Sequence, residues 1–164
     1  MFTTKIGIAA VVVALGAGMA VAQDLVTVGE VGAWTIYVDP TVGNGCLINA
    51  VFEDGSDVRI GFDAAAGTGY MIAANAAWAG IEEGTEYPIG LDLDGEVYEG
   101  KGVGIVLDDV PGVDIPFDTI DFLMDVAAKQ TLTLSNEDGP VMSIDLTDSD
   151  TALQQAIDCQ ANQG

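Results

Sequence analysis

The chain of 164 residues carries 26 Asp and Glu against 4 Lys and Arg, a formal charge of −22, and has no histidine. A surface this acidic repels phosphates and anionic lipid, which excludes nucleic-acid binding and electrostatic docking to an anionic membrane. Without imidazole there is no Ser-His-Asp triad, no imidazole general base and no histidine metal site.

In chain order, Lys5 precedes an apolar run over residues 6–17, and Ala20-Val21-Ala22 follows before Gln23. That layout predicts a secretory signal peptide over residues 1–22 and a single β-rich domain over residues 23–164. The run is too short and too glycine-containing to span a bilayer, no cysteine stands near the cleavage site to carry lipid, and no later segment reaches the ~18 apolar residues of a spanning helix. A periplasmic or secreted protein is expected, with no membrane insertion after cleavage. Beyond the leader the cations are Arg59, Lys101 and Lys129, against acids scattered along the chain. Such scatter suits a solvated acidic coat better than a field that attracts cations or a basic partner.

Residues 33–39 ("AWTIYVD") read as a strand. In "CLINAVFEDGSDVRIGF" (46–62) apolar residues alternate on both sides of a polar tip. A three-residue loop Glu53-Asp54-Gly55, with the glycine left-handed, pairs Ala50 with Val58 and Ile48 with Ile60, and places Cys46 on the same inward face. Residues 69–74 read as another strand. In "YPIGLDLDGEVY" (87–98) the inward set Tyr87, Ile89, Leu91 runs up to an Asp-Gly tip, so Asp92 is an outward strand residue and Asp94 a turn residue. Asp92 and Asp94 are the nearest approach to a metal-ligand pair. A calcium loop needs further oxygen ligands at fixed offsets and a terminal acid, where this chain has Val97, Tyr98 and Gly100. No metal and no cofactor is expected.

"GKGVG" (100–104) lacks the spacing of a phosphate-cradling loop and reads as a flexible or bulged strand connection into a strand over 102–107. In "DIPFDTIDFLMDVAAK" (114–129) the period becomes helical, with Phe117, Ile120, Met124 and Ala127 on one face, Asp118, Asp121 and Asp125 on the other, and Lys129 at the C-terminal end. "TLTLSNEDGPVMSIDL" (131–146) is a second hairpin, whose loop Glu137-Asp138-Gly139 sets Leu134 against Met142 and Leu132 against Ile144. Residues 147–150 fit a capping box, and Ala152, Leu153, Ala156 and Ile157 make a helical stripe that Cys159 continues. Two cysteines in an oxidising setting read as one disulfide, Cys46–Cys159. The predicted fold is α+β, mostly antiparallel sheet arranged as a sandwich or barrel, with two short helices in the C-terminal half.

Trp34 and Trp78 are core anchors or, if exposed, a sugar- or partner-binding platform. An early strand with Trp34, Cys46 in the next strand, "AAWAGIEEGTEYPIGLDLDG" (76–95) and "MSIDLTDSDTAL" (142–153) together resemble the invasion-associated locus B family, small exported proteins of alphaproteobacteria. The resemblance implies a β-rich domain and a periplasmic or surface-associated accessory protein without catalysis. The expected function is binding or structural support, with no catalytic residue and with a protein or glycan as partner; the oligomeric state is not legible. The alternative is a carboxylate-based hydrolase acting on a neutral glycan or peptidoglycan fragment, since two acids ~5–10 Å apart suffice for that chemistry.

Overall fold

Each of the ten strands described below pairs antiparallel with a strand next to it in the chain, through hairpins or short returns, and most alternate inward apolar with outward residues. The computed structural model describes residues 24–163, so the predicted signal peptide lies outside the described residues. The strands are β1 (Val26–Val31), β2 (Trp34–Asp39), β3 (Gly45–Val51), β4 (Asp57–Asp63), β5 (Thr68–Ala74), β6 (Glu86–Leu93), β7 (Glu96–Leu107), β8 (Val110–Phe117), β9 (Thr131–Asn136) and β10 (Gly139–Asp145). The helices are α1 (Asp121–Ala127) and α2 (Ser149–Ala161). All ten strands join one antiparallel sheet in the order β1-β2-β3-β4-β5-β8-β7-β6-β9-β10. Inward side chains from both halves of this sheet, Ile36, Ile48 and Ile60 from one and Leu91, Leu134 and Ile144 from the other, belong to a single core with Leu123 and Leu153 of the helices. A continuous sheet can serve one core only by curling around it, which gives the barrel-like form.

The predicted register of the first hairpin is the observed one, with Ile48 opposite Ile60 and Ala50 opposite Val58. Gly55 takes φ +82° and its amide donates to Phe52 O, while Phe52 N donates to Ser56 O, closing the three-residue loop. In the second hairpin Leu134 faces Met142 and Leu132 faces Ile144, as predicted, by a different route. Asn136 already pairs with Gly139, so the turn has two residues, and a bulge between Pro140 and Met142 restores the offset. Pro140 has no amide to give to the ladder, and a bulge is where a strand tolerates that. The other edge strand, β1, is bulged between Thr27 and Gly29. Both edges are thus interrupted where another chain would pair.

Four expectations need correction. First, "GKGVG" is no connection; it lies in the middle of the twelve-residue β7. Gly102 is buried against Val113 and Ile115, and Gly104 leaves room for the carbonyl of Glu82, so the glycines admit close neighbours and do not loosen the chain. Second, residues 114–117 end β8 and do not open a helix. Third, α1 therefore starts at Asp121 and buries Phe122, Leu123 and Val126, while Ile120 and Met124 of the predicted face are exposed. Phe117 reaches the helix from the strand and stacks on Phe122 at 3.7 Å between ring centroids. Fourth, α2 has no capping box: Thr147 N and Oγ1 both donate to Asp145 Oδ1, and Asp148 enters the helix in a left-handed conformation, φ +64°. The predicted stripe is otherwise correct, with Ala152, Leu153, Ala156 and Cys159 buried against the sheet.

On the outer face, Asp114 of β8 has a buried Oδ1 without a partner. Burial, then the charge of Asp63, pushes its carboxyl above the usual range. A carboxyl whose folded pKa is raised stabilises the fold at pH below its unfolded value and loses that contribution as pH rises through the raised value. Asp114→Asn is therefore expected to raise stability at neutral pH by less than about 1 kcal/mol, partial exposure keeping the figure small, and to bring no gain near about pH 3. Urea unfolding at the two pH values checks this.

Candidate functional site

Trp34 is 1% exposed and is a core residue, not a platform. Its Nε1 donates to Thr147 O at 3.1 Å, and its ring meets Phe52 edge to face. This bond joins β2 to the segment leaving β10, across the gap between the two ends of the curled sheet. Nearby the Cys46–Cys159 disulfide ties β3 to the end of α2, and Gln160 Oε1 accepts from Cys46 N.

The acidic hairpin tip of β6 and β7 is a clasp. Asp94 and Gly95 have φ of +54° and +92°, a two-residue turn of the type that Asp-Gly favours. Asp92 Oδ1 accepts from Gly95 N, and the Asp94 carboxylate accepts from the amides of Gln130 and Thr131 at 2.9 and 3.0 Å. Beyond the tip, Glu96 pairs with Lys129 at 2.9 Å and the Tyr98 hydroxyl donates to Asp125. The candidate metal ligands Asp92 and Asp94 are thereby occupied in holding the tip and the α1–β9 connection. Among the described residues no group of three or more Cys, Asp or Glu is placed to hold a metal ion. Asp92→Asn with Asp94→Asn is expected to lower stability by about 1–2 kcal/mol through weaker acceptors, by the same amount in millimolar calcium as in chelator. A calcium-dependent melting temperature in the native protein, lost in the double variant, would contradict the clasp.

Trp78 lies elsewhere. The strand order makes the chain leaving β5 step over β8 and β7 before it enters β6, and this crossing segment, residues 75–85, carries Trp78. Its start is fixed by Asn75, which is buried: the side chain donates to Ser56 Oγ and Asp54 O and accepts from Ala77 N, while its amide donates to Pro111 O. Its end is fixed by Gly84 N and Thr85 O, which bond Gly104 O and N, and by Glu82 N, which donates to the Tyr87 hydroxyl. Between the anchors, Trp78, Ile81, Tyr87, Ile89, Leu134 and Val141 line an apolar pocket of about 320 Å³. Trp78 and Tyr87 are half-buried: each lines the pocket and packs in part on the core.

A second pocket of about 290 Å³ opens over Gly100, where the missing side chain leaves a gap between Tyr98 and Phe117; Glu99, Lys101 and Asp118 stand at it. Sequence reasoning singled out Trp78 but neither pocket. Asn75, directly after a strand and of the type whose side chain accepts from the amide two residues on, was the readable signal for the anchored loop. Among the described residues no helix is long and apolar enough to cross a membrane.

No family model matches this chain, and no curated protein matches it. Among solved structures, the crystal structure of invasion associated protein B from Bartonella henselae is similar at TM-score 0.58 and 17% identity, over 80% of this chain and 96% of that one. At that identity the likeness concerns the fold. It carries the family description that the residues around Trp34, Cys46 and Trp78 resemble, and the chain thus shares the fold of an invasion associated protein.

Proposed function

We propose that this is an exported, non-catalytic accessory protein of the periplasm or cell surface, which binds a partner through the apolar pocket beside Trp78. The observation that carries the reading is a preformed pocket whose loop wall, the 75–85 crossing, is hydrogen-bonded to the sheet at both ends. Pre-organisation of this kind lowers the ordering cost of binding. The leader-like residues 1–22 support export, as does the disulfide, a bond that persists in oxidising compartments. The name of the Bartonella protein of like fold suits an accessory role.

The second reading, a carboxylate-based hydrolase, is favoured by one observation: Glu99 and Asp118 share the pocket over Gly100. Both are exposed, whereas a general acid kept protonated at neutral pH needs burial. Asp114, the aspartate that burial does push up, lines neither pocket. The non-catalytic reading is the better supported.

The neutral dye Nile red tests the pocket. Native protein should bind it, and Ala77→Trp, which fills the opening, should weaken binding at least about tenfold, about 1.4 kcal/mol. Val51→Trp, on an exposed strand position away from the pocket, should leave it unchanged. Equal binding by native and Ala77→Trp proteins would end the proposal.

A further inference from the structure

We infer that the Trp78 pocket receives an apolar side chain of a cationic peptide segment, with Lys or Arg on either side of that anchor lying over an acidic rim. The inference rests on the binding reading above and names the partner class.

The wall disfavours a sugar, because it is mostly apolar and three of its few polar atoms are already engaged: Ser135 Oγ donates to Gly90 O, Asn136 Oδ1 accepts from Asp138 N, and the Tyr87 hydroxyl accepts from Glu82 N. A pyranose entering here would bury hydroxyls with few partners, at a cost of about 1–3 kcal/mol for each one left unpaired. An aliphatic or aromatic side chain meets no such cost and gains the burial of its apolar area. At about 320 Å³ the pocket is at the low end of ligand sites, which run to about 1,000 Å³, and it suits an anchoring side chain on an extended segment.

The rim decides the charge of that segment. Glu82 and Glu83 follow Ile81 in the chain, Glu137 and Asp138 follow Asn136, and all four are exposed. Among the described residues every cation is already paired: Arg59 with Asp57 and Asp108, Lys101 with Glu86, Lys129 with Glu96. The rim acids therefore have no counter-charge from the fold. An anionic amphiphile is repelled, a neutral apolar group gains the pocket alone, and a cationic segment with an apolar centre gains both contributions. The two separate by salt. Rim attraction fades as the screening length falls from ~30 Å at 0.01 M to ~8 Å at 0.15 M, whereas side-chain burial does not.

Three synthetic peptides test this on the purified protein: Lys-Lys-Phe-Lys-Lys, Lys-Lys-Ala-Lys-Lys and Ser-Ser-Phe-Ser-Ser, capped at both ends. Binding is followed through Trp78 emission, since Trp34 is sealed in the core. The first peptide should bind, and the alanine peptide should bind at least about tenfold more weakly at any salt. The serine peptide should be about tenfold weaker in about 0.01 M salt, with the gap closing by about 0.15 M. Glu82→Gln, Glu83→Gln, Glu137→Gln and Asp138→Asn together should narrow the preference for the lysine over the serine peptide in about 0.01 M salt, leaving only what the overall negative charge supplies. Equal binding of the phenylalanine and alanine peptides would reduce the effect to diffuse surface attraction and overturn the inference. Equal binding of the lysine and serine peptides in about 0.01 M salt would overturn the cationic partner while leaving the pocket reading intact. So would displacement of Nile red by a neutral oligosaccharide but by none of the peptides. If neither dye nor peptide binds, both readings fail.

Discussion

Replacing Cys46 and Cys159 together by serine should lower stability by about 4–5 kcal/mol on chain-entropy grounds. The bond closes a loop of 113 residues, from the inward face of β3 to the last turns of α2, with the two Cα atoms 6.1 Å apart. Nearly the whole sheet lies inside that loop, so its loss frees most of the unfolded chain. Burial adds to the effect, because Cys46 is 0% exposed and Cys159 8%, and a serine hydroxyl there would lack a partner. Denaturant unfolding of the oxidised native protein and the double variant checks the size. A difference under about 1 kcal/mol would mean that α2 is held by its apolar stripe alone.

Trp34→Ala should cost about 3–5 kcal/mol, the range for truncating a buried tryptophan. The side chain fills core volume between β2 and α2 and carries the hydrogen bond to Thr147 O that spans the open seam of the sheet. Trp34→Phe separates the two contributions: most of the volume stays, the Thr147 carbonyl loses its donor, and the expected cost falls to about 1–2 kcal/mol. Trp78→Ala should destabilise less than Trp34→Ala, because Trp78 is only half-buried, yet it should be the more damaging of the two for Nile red binding. Thermal melts and dye titrations of the same variants give both orders. The reverse order in binding would remove Trp78 from the site.

What could be read from the sequence was what alternation and turn chemistry control. Gly55 and the acids before it dictate a three-residue loop, and once the loop length is known every pairing from Ala50–Val58 to Ile48–Ile60 follows. Cys46 falls on the inward face by the same count, and parity supplied its partner Cys159. The second hairpin came out in register because a shorter turn and a bulge at Val141 compensate each other, which no turn rule anticipates. β1 was illegible, since Val26 and Val28 are more than half exposed on an edge strand, leaving no buried period to detect. The α1 region misled because residues 117–127 contain two overlapping apolar stripes, and the choice is made by β8, which claims the chain through Phe117. The Trp78 pocket was illegible for a different reason. Its wall comes from the 75–81 segment, β6, β8, β9 and β10, which meet only because the β5–β6 connection crosses two strands.

The central claim, that this fold presents one preformed apolar pocket with an acidic rim to a cationic segment, is tested most directly by mapping amide and indole chemical shifts of the isotope-labelled protein while the Lys-Lys-Phe-Lys-Lys peptide is added. The account predicts changes confined to the Trp78 indole, the amides of residues 77–83 and those of Ser135, Asn136 and Val141, with the Trp34 indole and α2 unmoved. Shifts spread over acidic positions all around the sheet, or centred on Glu99 and Asp118 at the other pocket, would contradict it.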